Sequence, residues 1–321
     1  MIPAALGQAR RPLCLGIGGG GDVVGALATA EHCRLELGAR PVLGGVSWER
    51  RPIDPQPGPR PSAEIADARP LGPAVLAAGP GTRVRSSGVR FAESRMAELL
   101  DEETVLVDVN EGPATIAAGL REAAAALRCD LVVFVDVGGD VLAHGEEPGL
   151  GSPLCDALLL AAAVRLEEES ELPVLAGVFG MGCDGELTPD EVLERLAEVE
   201  AAGGLDGSLT LTDPVANRLD QAVAAIPTEA SAMAVRAFRG QTGLTTIRDG
   251  RRTVDLRPIA ADTYFFHPRP AIRSAARLAA AVMDAAGLEE ANEALHDLGV
   301  YTELDWERDA PHTGTPSQTP Q

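Results

Sequence analysis

Pro12-Leu-Cys-Leu-Gly-Ile-Gly-Gly-Gly-Gly-Asp22 decides the fold. The apolar run Pro12–Ile17 has the length of a strand. The glycines after it lead into Asp22–Gly38, a helix-periodic stretch that stops at a glycine. Strand, glycine turn and helix make half of a βαβ unit, and the same succession recurs along the chain. Further strands are expected at Pro41–Val46, near Ala74–Ala78, and at Thr104–Val109, Leu131–Val135 and Pro173–Val178. Helices are expected at Phe91–Asp101 and Gly112–Leu127. Two more open at Ser152-Pro153, with Asp156 in the first turn, and at Thr188-Pro189-Asp190. Each has an N-cap, a first-turn proline and a first-turn acid. Strands alternating with helices in this way predict a doubly wound, mostly parallel sheet covered on both faces. The fold class is therefore α/β, a Rossmann-like three-layer core over residues 12–203.

Outside this core the pattern loosens. The first 11 residues read as a frayed end, and Arg51–Pro61, with five prolines, reads as an ordered loop or flap, or equally as a simple linker. From about Gly203 the order changes to helices near Pro214–Ala225 and Thr228–Phe238. Two short runs come after them, Leu244–Arg248 and Thr253–Arg257, flanking Asp249-Gly250, a turn pair suited to a β-hairpin. A strand at Thr263–Phe266 and helices at Ala271–Ala286 and Glu289–Leu298 come next. Residues 204–306 are therefore expected to form a smaller α+β portion packed on the core, and 307–321 a disordered tail.

Composition removes several function classes. The net charge of −21 leaves no basic surface for phosphate backbones, so no nucleic-acid partner is expected. All 27 basic residues are arginine. Without lysine there can be no pyridoxal-phosphate Schiff base, no lysine of a P-loop NTPase and no kinase strand lysine. Anions must be held by backbone N–H groups, arginine or a metal ion. Five cysteines at scattered spacings fit neither a zinc site nor a disulfide framework. With no signal peptide and no long apolar run, the expected compartment is the cytoplasm, with no membrane partner.

Chemistry concentrates where strands end. Gly16, Gly18 and Gly21 form a G-x-G-x-x-G, with Gly19 and Gly20 between them and Asp22 opening the helix. Glycines let a backbone approach an anion, and a helix N-terminus offers free N–H groups, so this loop is a candidate phosphate or carboxylate cradle. Tight strand–helix packing would also call for glycines there. NAD is disfavoured, because the second strand ends without the acid that would hold a ribose. The second candidate is Asp136-Val-Gly138-Gly139-Asp140, followed by His144, Glu146 and Glu147. Two aspartates across a di-glycine at a strand end suit a Mg²⁺ ion or acid–base work. Asp184, in Gly180-Met-Gly-Cys-Asp-Gly-Glu186, and Asp108, in Asp108-Val-Asn-Glu-Gly112, repeat the arrangement. Four such loops on one sheet edge imply a shared small-molecule ligand. Arg50 and Arg269 are candidate anion clamps, and His267 a candidate acid–base group closing over the acids. Cys155 and Cys183 lack a histidine partner in the sequence and read as buried packing.

Taken together, Gly16-Ile-Gly-Gly-Gly-Gly-Asp22, Gly44-Gly-Val-Ser-Trp-Glu-Arg50, Asp136-Val-Gly-Gly-Asp140 and Gly151-Ser-Pro-Leu-Cys-Asp156 resemble a domain-of-unknown-function family, number 1152. The resemblance covers about Arg11 to Asp305. It implies the same fold and site and carries no reaction with it. Gly138-Gly139-Asp140 is also similar to the glycine-rich motif of D-glutamate cyclase, with Asp140 where that motif has Asn. Three readings are compatible with these residues. The first is a Mg²⁺-dependent transferase, hydrolase or lyase acting on a phosphorylated or nucleotide-like metabolite. There Asp136 and Asp140 would hold the metal, Asp22 and Asp184 would support the substrate, and His267 would move protons. The second is a metal-independent lyase or cyclase acting on a small carboxylate or amino acid. The third is a non-catalytic nucleotide sensor reporting through a homo-oligomer.

Overall fold

The computed structural model of the protein describes residues 1–310. Its strands are β1 (Pro12–Gly16), β2 (Val42–Val46), β3 (Ile65–Gly72), β4 (Val75–Val84), β5 (Thr104–Val107) and β6 (Leu131–Val137). They continue with β7 (Val174–Phe179), β8 (Leu205–Thr210), β9 (Gly243–Ile247), β10 (Arg252–Leu256) and β11 (Asp262–Phe266). The helices are α1 (Ala4–Gln8), α2 (Asp22–Leu35), α3 (Ala92–Leu100), α4 (Pro113–Leu127), α5 (Pro153–Glu169) and α6 (Pro189–Ala201). After them come α7 (Asp213–Ala225), α8 (Ala230–Phe238), α9 (Pro268–Ile272), α10 (Arg277–Ala281), α11 (Leu288–His296) and α12 (Glu303–Asp309).

Nine strands form one sheet in the order β3-β4-β5-β2-β1-β6-β7-β11-β8. The inner five, β5-β2-β1-β6-β7, are all parallel. Antiparallel pairs extend both edges. Because side chains alternate across a strand, β1 sends Leu13 and Leu15 into one apolar layer and Cys14 into the other. The first layer is covered by α4, α5, α6 and α9–α11, the second by α2, α3, α7 and α8. All seven residues of β6 are buried, as a central parallel strand covered on both faces requires. This is the Rossmann-like three-layer architecture that the alternation predicts.

Several elements depart from the sequence reading. The first residues are not frayed: α1 forms, Leu6 is fully buried, and Met1 O accepts from Ser208 N. Strands β3 and β8 have no counterpart among the expected strands. Asp67, Arg69 and Pro70 interrupt one, and Asp206, Gly207 and Ser208 the other, because edge strands need less apolar patterning. The single helix expected over Ala271–Ala286 is broken, with the Ser274 hydroxyl turned back onto Pro270 O and Ala271 O at the first break. The division at 203/204 runs through one continuous sheet, since β8 and β11 extend it beyond β7. Glu307–Asp309 belong to α12 rather than to a tail, and residues 311–321 of that expected tail lie outside the described residues. Among the described residues, no helix is long and apolar enough to cross a membrane.

Candidate functional site

The inner strand order turns β1 and β6 into the switch point of the sheet. The chain leaves β1 for α2 on one face and leaves β6 for α5 on the other, opening a crevice at their carboxyl ends. A cleft of about 760 Å³ lies there. Gly18–Gly21 and Asp22 form one side, Asp136, Asp140, Asp156 and Asp184 the floor, and Glu49–Ile53 a wall. The start of α8 and the β9–β10 hairpin tip, with Arg248 and Arg251, face them.

The floor is a double cluster of carboxylates. Asp22, Asp136 and Asp156 bring one oxygen each within 4.8 Å of the others, and Asp140, Asp184 and Glu186 form a second such group. Asp136 and Asp140, read as one metal pair in the sequence, thus fall in different groups. The extra turn at Asp140–Leu142 carries Asp140 toward β7. In the second group the oxygens are largely committed. Glu186 accepts from Gly151 N (2.7 Å), Ser152 N (2.8 Å) and Ser152 Oγ (2.6 Å), and Asp184 Oδ1 accepts from Glu186 N. The first group is less satisfied. Asp22 Oδ2 accepts from Gly18 N at 3.0 Å, while Asp136 Oδ2 and Asp156 Oδ1 are buried with no partner among the described residues. Asp140 Oδ2 shares that state.

Burial without enough counter-charge raises these acids. Desolvation lifts Asp22 to about 7, against the Gly18 N–H and Arg50, which pull it down. Desolvation, then the neighbouring Glu186, lifts Asp184 to about 8. Asp136 and Asp156 are pushed well above the carboxylate range, first by burial and then by repulsion, from Asp22 on Asp136 and from Asp136 on Asp156. Burial also comes first for Asp140, followed by repulsion from Asp156. A dication among these oxygens would supply the missing charge, and hard carboxylate oxygens are what Mg²⁺ takes.

The candidate residues separate into three groups. Gly18, Gly19, Gly20, Gly21, Asp22, Arg50, Asp136, Asp140 and Asp184 meet at the cleft. Gly16, Gly138 and Gly139 do not line it. A Cβ on Gly16 would collide with the backbone of Asp22 and Val23, so that glycine serves close strand–helix packing. Gly138, at φ +131°, leaves room for the Asp184 carboxylate. The glycine loop is also a weaker anion cradle than its sequence suggests, since Gly18 N donates to Asp22 and Gly20 N to Trp48 O. His267 and Arg269 lie at the opposite edge of the sheet. Strand β11 runs antiparallel to β7, so the residues after β11 emerge beside the start of β7, near Asp206 and Glu168. Asp108 stays outside the cleft and braces its own loop, accepting from Ser62 and Asn110. His144 pairs with Glu198, and Glu147 accepts from His144 N and Gly145 N. Cys155 and Cys183 are buried, and burial pushes both thiols up.

Other participants carry no clear signal in the sequence. Asp156 reads as a helix-start acid, yet it faces the floor. Glu303 satisfies the first N–H groups of α5 in place of the Ser152 cap, accepting from Leu154 N at 3.0 Å and Cys155 N at 2.9 Å, while Glu186 takes Gly151 N and Ser152 N just before the helix. Arg51 is masked in the sequence by its neighbour Arg50. Arg50 lies 4.0 Å over the Trp48 ring and donates from Nη2 to Gly18 O (2.7 Å) and Glu303 Oε1 (3.2 Å), while its buried Nη1 has no hydrogen-bond partner among the described residues.

No curated protein and no solved structure matches the chain. The family model described as "Protein of unknown function (DUF1152)" matches residues 13–311, and by that match the chain belongs to this family.

Proposed function

We propose that the protein is a Mg²⁺-dependent small-molecule enzyme acting on a phosphorylated or nucleotide-like metabolite in the switch-point cleft. One observation carries the reading: half-buried Asp22 and buried Asp136 and Asp156 converge from three chain segments, with Asp136 Oδ2 and Asp156 Oδ1 unpartnered among the described residues. Three acids brought together without enough counter-charge cost stability, and cation binding is a function that explains the cost. When bound, the ion would polarise a phosphoryl oxygen or activate water. Arginines along both walls of the cleft fit an anionic ligand that approaches this floor.

The test is a thermal-shift panel with Mg²⁺, Mn²⁺, inorganic phosphate, nucleotides, NAD and amino acids, singly and in pairs. A ligand at 100 times its Kd adds about 2.7 kcal/mol, which is visible as a raised Tm. A shift requiring both metal and a phosphorylated ligand is the expected result. Silence toward every metal would remove the reading.

The metal-independent lyase or cyclase keeps one specific support. Asp22 near 7 and Asp184 near 8 sit where a general acid and base work best at neutral pH. Turnover of a small carboxylate or amino acid in excess chelator would favour it.

A further inference from the structure

We infer that Arg51 is the anion-holding residue of the cleft, and that the group it takes is a phosphate or diphosphate bound together with the divalent cation. The inference rests on the metal-dependent reading above and adds the ligand's chemistry.

The arginines of the cleft differ in what they already hold. Arg50 is stacked on Trp48, bonded to Gly18 O and faced by Glu303 and Glu307. Arg251 Nε donates to Arg248 O at 2.8 Å. Arg248 Nη1 lies 3.6 Å from Glu186. Arg51 lines the cleft, yet its Nε and Nη2 are buried and have no acceptor among the described residues. Those two nitrogens share one edge of the guanidinium, the fork that matches the paired oxygens of a carboxylate or a phosphate. A buried fork with nothing to bond is costly, and an oxyanion placed against it removes the cost.

A phosphoryl group fits better than a carboxylate. The floor needs a hard dication, and a phosphoryl group has oxygens enough to meet that ion on one side and the fork on the other. Arg248 and Arg251 on the facing hairpin add positive charge beyond what a single carboxylate would use. The glycine loop contributes less, because Gly18 N and Gly20 N already have acceptors.

The experiment measures Mn²⁺ binding by calorimetry, then inorganic phosphate, diphosphate and malonate binding with and without Mn²⁺. It uses the full chain, Arg51→Gln and Arg51→Lys. Both variants are expected to fold, since they lose an unpaired fork, and an unchanged or raised Tm verifies it. The expected result is Mn²⁺ affinity within twofold of the unsubstituted chain and at least tenfold weaker diphosphate binding in Arg51→Gln. Arg51→Lys should fall between, keeping the charge without the fork. Unchanged diphosphate affinity in both variants, or tighter binding of malonate than of diphosphate by the unsubstituted chain, would overturn the inference. If Mn²⁺ fails to bind at all, the metal reading falls separately. Arg51 is then judged on anion binding alone, supported by loss in Arg51→Gln and refuted by its persistence.

Discussion

Replacing the Asp156 carboxylate by an amide should move two measurements in opposite directions. In the metal-free protein Asp156→Asn removes a buried acid repelled by Asp136 and Asp22, so stability should rise by about 1–3 kcal/mol. Cation binding should weaken at least tenfold, because one of three converging oxygens is lost. A lower Tm with unchanged Mn²⁺ affinity would make Asp156 merely structural. Glu49 gives a pH-dependent prediction. Desolvation raises its carboxyl to about 7 from the ordinary 4.5, so folding favours the protonated form. That contribution is complete below about pH 4.5 and is lost as the pH climbs through 7. Glu49→Gln can still accept from Ala92 N, and should gain about 2 kcal/mol over the unsubstituted chain between pH 5 and pH 8. Equal stability curves at both pH values would refute it. Asp22, Asp136, Asp140 and Asp184 were legible in the sequence because each stands at or just past the carboxyl end of a parallel strand, and parallel strands end at one edge. His267 and Arg269 were misplaced by the same rule, since nothing in Thr263–Phe266 tells that the strand runs backwards. Asp156 was concealed by a helix-start pattern whose usual capping meaning the structure does not use.

At the scale of elements, α12 acts as a clasp. Glu307 accepts from Trp48 Nε1 at 3.0 Å and from Gly58 N at 2.7 Å, and Glu303 caps α5 while holding Arg50. Glu307→Ala should leave two buried donors unsatisfied and cost about 1–3 kcal/mol. Trp48 is fully buried and Trp306 is 60% exposed, so a red shift of the buried tryptophan's emission would report the loosening. Unchanged emission and Tm would show that the clasp does not hold. Such an element escapes sequence reading because its partners are distant: Trp48 and Glu307 stand 259 residues apart. The inner strands were easy by comparison, since each is an apolar run flanked by turn residues. The edge strands β3 and β8 were not, because a half-solvated strand tolerates charges and glycine.

At the scale of the whole molecule, the sheet crosses the point where the sequence pattern changes. Strand β11 lies between β7 and β8, and the hairpin tip of β9–β10 faces the glycine loop across the cleft. Thermal unfolding should therefore be one transition, coincident by far-UV dichroism and tryptophan emission. A fragment covering 204–310 should remain unfolded alone, because β11 would lose its partner β7. Two separated transitions, or a folded fragment, would restore a division into domains.

The clasp also has a consequence in time. Trp48 and Arg50 are made early in synthesis, and the carboxylates of Glu303 and Glu307 that hold them are made after every other described element. At translation rates of about 5–20 residues per second, a growing chain spends on the order of tens of seconds with that arginine and the start of α5 uncovered. The wall of the cleft at Arg50 thus gains its carboxylate partners only after the other described elements have been made, by the late arrival of a short helix.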